Sequence, residues 1–166
     1  MSNKKNKVYW VEGVTENEVK NSLSDTKHNY LRTSGARRFL VVLFVALYAL
    51  AIASDYLELA IASIASLVLV GLMLIVYLML RTSVRQIADA PDELIDERQQ
   101  QVRDNAYLQA YRILATVIAV IFVGAAFGLV NLGFSSEYQS TGLIVGTIFL
   151  IPTLPSAIIA WGEKGE

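Results

Sequence analysis

From residue 39 to residue 80 the chain is apolar almost throughout, and its one polar break, at residues 54–58 (SDYLE), contains neither Gly nor Pro. As a single straight helix this stretch would be ~63 Å long at ~1.5 Å per residue, roughly twice the thickness of a bilayer's hydrocarbon core. It must therefore fold back. Asp55 and Glu58 mark the turn, because a carboxylate held at mid-bilayer is costly on any scale. Two further runs have the length of a span: residues 113–132, through LATVIAVIFVGAAFGLV, and residues 141–161, TGLIVGTIFLIPTLPSAIIAW. The pattern predicts four transmembrane helices at residues 38–54, 57–80, 113–132 and 141–161.

Residues 90–113, APDELIDERQQQVRDNAYLQAYRI, form the long polar stretch of the second half and lead without interruption into the third span. Asp89 has the chemistry of an N-cap, Pro91 suits the first helical position, and Asp92 and Glu93 sit where the helix dipole favours negative charge. No Gly or Pro follows Pro91 until Gly124. One long third helix is predicted, its first part outside the hydrocarbon. Ile95, Val102, Ala106 and Ile113 recur on one side of it as a narrow apolar stripe. Ile95, Val102 and Ala106 of that stripe, with Arg98 beside them, are the predicted partner interface.

Composition confirms the class, since 54% hydrophobic residues and a mean hydropathy of +0.46 exceed what one soluble core needs. The expected fold is all-α: a polytopic membrane protein of four helices. Its units are an N-terminal arm (1–36), a helical hairpin (37–80), a connection and helix (81–110), a second hairpin (111–161) and a tail (162–166).

Charge orients it. Of the 14 Lys and Arg, eight lie before or at the first residue of the first span, five lie between the second and third, and one is in the tail. The other two connections hold none. Under the positive-inside rule both termini and the central connection are cytoplasmic. Tyr77, Tyr107, Tyr111 and Trp161 fall at the inner interface, and Tyr56 and Tyr138 at the outer one. The first 36 residues are polar and do not read as a signal peptide, so the first span is expected to act as an uncleaved anchor.

Little chemistry can be assembled. Cysteine is absent, so disulfides, thiolate metal sites and thiol catalysis are excluded. His28 is the single histidine and nothing with ligand spacing accompanies it. The acidic residues Asp89, Asp92, Glu93, Asp96, Glu97 and Asp104 include i,i+4 pairs, yet carboxylates near a helix start need no metal to explain them. No cofactor, metal or nucleic-acid partner is expected, and no enzyme. KVYWVEGV has the β-branched and aromatic content of a short strand, and Thr15 with Glu18 has capping-box spacing ahead of a brief helix to about Leu23.

Inside the spans the informative residues are small or helix-breaking. Gly124 with Gly128 and Gly142 with Gly146 each form a GxxxG, a spacing that lets helices approach closely. The two pairs can face one another across a tight outer hairpin, or serve contact between copies. Pro152 and Pro155 should kink the fourth span or open it locally, leaving carbonyls for neighbours, Thr153 or Ser156 to satisfy. Arg37, Arg38 and Arg112, at the inner boundary, are candidates for lipid headgroups.

Asp96–Glu97–Arg98, on a helix entering the third of four spans, resembles a segment of small uncharacterised bacterial four-helix integral membrane proteins. That resemblance implies a bacterial cytoplasmic membrane and brings no site residues. The function expected is a non-catalytic accessory or regulatory subunit of a larger membrane complex. The alternative is a homo-oligomeric small pore or carrier assembled through the GxxxG faces.

Overall fold

Thr33 starts the first long helix: its extended backbone and side-chain oxygen make it the N-cap, accepting from the Ala36 N–H at 3.3 Å. The structure is a computed structural model that describes residues 8–9, 14–15, 29–55, 59–84, 88, 95–128 and 141–162. Among these are four long helices, α1 (Ser34–Ser54), α2 (Leu59–Ser83), α3 (Glu97–Ala126) and α4 (Thr141–Gly162). Each is long and apolar enough to cross a membrane. A short 3-10 turn, Asn29–Arg32, leads into α1. Ahead of it, β1 (Val8–Tyr9) pairs antiparallel with β2 (Val14–Thr15), Val8 opposite Thr15. The strand expected in KVYWVEGV is thus present in part. Thr15 closes the hairpin, and the brief helix expected after it lies outside the described residues.

Two helices meet through a regular seam. Arg37, Leu40, Phe44, Leu47, Ala51 and Ser54 are buried on α1. Ser66, Met73, Val76, Leu80 and Ser83 are buried on α2, with Leu69 half-buried in register. Steps alternating between three and four residues keep one face of each helix toward the other, as in coiled coils. Helix α4 is the hub, packing against α1, α2 and α3. Helix α3 packs mainly on α4.

Contacts also fix which ends lie together. Arg37 on the first turn of α1 reaches Ser83 at the end of α2, and Arg38 lies over Trp161 at the end of α4. At the opposite end of the bundle, Asp55 after α1 meets Gly142 and Leu143 at the start of α4. Successive helices therefore run in alternating directions. We refer below to the arginine end and the Asp55 end.

The third helix begins later than the sequence pattern suggests. Its N-cap is Asp96, not Asp89: the Asp96 carboxylate accepts from Gln99 N–H at 2.7 Å and the Gln99 side chain accepts from Asp96 N–H at 3.3 Å. This reciprocal capping box satisfies two donors that a helix start otherwise leaves open. Asp89, Pro91, Asp92 and Glu93 lie outside the described residues. Its 30 residues still make α3 ~45 Å long at ~1.5 Å per residue, well beyond a hydrocarbon core.

Candidate functional site

A helix start in or near a membrane has N–H groups that no water can fully serve. Helix α4 solves this with a carboxylate from another helix: Asp55 accepts from Gly142 N–H at 2.8 Å through one oxygen and from Leu143 N–H at 2.9 Å through the other. The acceptor sits at the positive end of the α4 dipole, where a carboxylate is favoured. Closer to mid-bundle, the Tyr48 and Thr147 hydroxyls share a hydrogen bond of 3.0 Å, again joining α1 to α4. Ser54 shares one of 3.1 Å with Ser66, joining α1 to α2. None of these pairings was legible in the sequence beforehand. The usable signal is a carboxylate, Asp55 or Glu58, in the short connection after the first span, with no acidic residue in the first turn of α4.

Gly142 and Gly146 belong to the same seam. A β-carbon on Gly142 would collide with the Ala51 backbone carbonyl, and one on Gly146 would lie 2.6 Å from the Tyr48 ring. This corrects the expectation that they face Gly124 and Gly128: their neighbour is α1, inside the protomer. Gly128 is no packing residue either. It follows the α3 C-cap Phe127 at φ 70°, with its N–H donating to Ala125 O at 3.0 Å, and no atom lies within 4 Å of its would-be β-carbon. It ends the helix in the left-handed conformation that glycine accepts most readily. Gly124, a turn earlier, is half-buried on α3.

The predicted partner interface is corrected in the same way. Ile95 is buried and stands before the N-cap, off the helix; Ala106 is buried and Val102 packs against the same core. The cluster that holds Ala106, and against which Val102 packs, also includes Leu31, Val84 and Ala88 from earlier in the chain. The Tyr107 hydroxyl donates to Ala88 O at 3.1 Å and ties the segment after α2 to α3. Ile113 is exposed, and Leu114 takes the packed position instead. Of the four residues named for a partner, only Arg98 is exposed.

The boundary arginines divide. Arg37 is buried, and its guanidinium donates to Ser83 O at 3.0 Å, a cation on the carbonyl end of α2. It is therefore corrected from headgroup ligand to internal clamp. Arg38 and Arg112 are exposed. Arg103 pairs with Asp104 at 3.0 Å. Among the described residues no group of three or more His, Cys, Asp or Glu side chains is placed to hold a metal. His28 lies outside them. Helix α4 runs through Pro152 and Pro155 without opening; the Thr153 hydroxyl donates to Phe149 O at 2.7 Å, and Pro155 and Ser156 are buried while Pro152 is exposed.

The helix that the bundle covers least is α3. Only 6% of the most apolar stretch of α3 is buried, against 44% for α4. Ala115, Thr116, Ala119, Val120, Val123 and Gly124 line a shallow groove along it. Comparison with known proteins finds no matching family model, no similar curated protein and no similar solved structure.

Proposed function

We propose that this chain is a non-catalytic accessory or regulatory subunit of a larger complex in the bacterial cytoplasmic membrane, and that α3 is its docking helix. The observation that carries the reading is how little of the apolar stretch of α3 is buried, 6% against 28%, 22% and 44% for α1, α2 and α4. Lipid tails are as apolar as leucine, so helices associate in membranes through close packing, and small residues permit it. Ala115 and Ala119, at i,i+4 in the α3 groove, offer that approach. In this reading both termini and the α2–α3 connection are cytoplasmic, which the absence of Lys and Arg from the other two connections supports. The first half of α3 then extends below the membrane and presents Arg98 and its exposed neighbours to the partner's soluble face.

A homo-oligomeric small pore or carrier is the second reading. Gly142 and Gly146 cannot supply its interface while they are packed on α1, so it too would use the α3 groove. The test is extraction from the native membrane with a C-terminal tag and identification of everything recovered at fixed ratio. A larger partner is expected, and it should be lost from a variant carrying Ala115→Leu and Ala119→Leu, which fills the groove without touching the bundle. Recovery at a multiple of 18.3 kDa with no other protein would favour self-association. A partner retained at unchanged ratio by the filled-groove variant would sink the α3 assignment.

A further inference from the structure

A second groove lies on α1, away from the α3 groove, and it has a cation at its mouth. It is lined by Val41, Val42, Val45, Ala46 and Ala49 on α1 and by Trp161 on the last turn of α4. Arg38 stands one turn before Val41 and Val42, and its guanidinium carbon is 5.6 Å from the centre of the Trp161 ring. Among the described residues no carboxylate pairs with it. A tryptophan at the end of a span marks the headgroup level. The ring attracts the cation and keeps it at that level, where its N–H groups suit a planar or tetrahedral anion.

The dimensions specify the occupant. From Arg38 to Ala49 the groove follows α1 for ~16 Å at ~1.5 Å per residue, which is half of a ~30 Å hydrocarbon core, or one leaflet. Polar lining is nearly absent below Arg38. We propose that this groove is a binding site for an anionic phospholipid of the leaflet at the arginine end, with the phosphodiester on Arg38 and one acyl chain along Val42, Val45 and Ala49. A phosphate and a chain leave a glycerophospholipid in opposite directions from the interface, and here the cation and the groove are in line for both. The inference concerns a face separate from the α3 groove, so its failure leaves the docking proposal standing.

Trp161 makes the site visible. The sequence has two tryptophans, so in a Trp10→Phe background Trp161 fluorescence reports from the groove alone. The full chain is reconstituted in phosphatidylcholine vesicles, and chain-brominated phosphatidylglycerol or chain-brominated phosphatidylcholine is titrated in as a quencher. Brominated phosphatidylglycerol should quench at about fivefold lower mole fraction, the preference that one surface arginine confers on an anionic lipid. Arg38→Gln should abolish that preference and Arg112→Gln should leave it. Ala46→Phe, which fills the groove with the charge intact, should abolish it as well. Equal quenching by the two lipids would overturn the proposal, as would a preference that survives Arg38→Gln or Ala46→Phe. Loss in Arg112→Gln would do the same, because it would mark a general surface charge in place of a site.

Discussion

Asp55 is the residue on which the Asp55 end of the bundle turns. A hydroxyl or amide cap belongs to its own helix, whereas this carboxylate joins the last turn of α1 to the first turn of α4 through two N–H donors at once. Removing it leaves both donors without their acceptor at the edge of a medium that supplies little water. Leaving a buried donor unsatisfied costs about 1–3 kcal/mol, so Asp55→Ala should lower bundle stability by about 2–4 kcal/mol, discounted for partial access to interfacial water. Asp55→Asn keeps one acceptor oxygen and should lose about half as much. The midpoint of unfolding in mixed micelles, followed by helix content, measures both. A variant lacking the carboxylate but as stable as the natural chain would show that the two contacts contribute nothing net.

Helix contacts are where glycine acts, and they give a rank order. Gly142 lies over the Ala51 backbone, which cannot step aside, and Gly146 lies over the Tyr48 ring, which can rotate at some cost. Gly71 and Gly35 face open space. Gly142→Ala should therefore be the most damaging of the set, by about 1–3 kcal/mol as an overpacked contact. Gly146→Ala should come next. Gly71→Ala should be neutral or stabilising by up to about 1 kcal/mol, since alanine is the better helix former. The same unfolding midpoint orders them, and a Gly142→Ala variant matching Gly71→Ala would mean that α1 and α4 do not meet there. Four helices were legible in the sequence because a span needs only an unbroken apolar run, and each run is visible without knowledge of its neighbours. Caps and contacts were less so. Asp89, Asp92 and Asp96 all have cap chemistry, and it is the Gln99 side chain folding back onto Asp96 that selects the last. Val102 and Ala106 resemble a face awaiting a partner because the core they pack into includes residues such as Val84 and Ala88 from a different part of the chain. Hydropathy gives the length of a span and is silent on which span lies beside it, so the GxxxG of α4 was assigned the wrong neighbour.

At the scale of the whole molecule, two independent observations bear on orientation. Contacts bring the start of α1, the end of α2 and the end of α4 to one end of the bundle. The sequence puts its 14 cations outside the two connections that lie at the other end. The first is geometry and the second is the electrostatics of insertion, and they agree on which segments share a side. They differ in what they can settle, because geometry groups the segments and charge alone chooses the compartment. A chain without cysteine makes the choice measurable with single substitutions and a membrane-impermeant thiol reagent. Arg98→Cys, on the exposed first turn of α3, should label only after the cytoplasmic membrane is permeabilised. Ser136→Cys, in the connection between α3 and α4, should label in intact cells stripped of their outer barrier. The reverse pattern would turn the molecule over, and the arginine end, with Arg38 and its groove, would then face the outer leaflet. Labelling of both positions in intact cells would be the more serious result, because Arg98 and the α3–α4 connection would then share a side and the alternating bundle itself would be wrong.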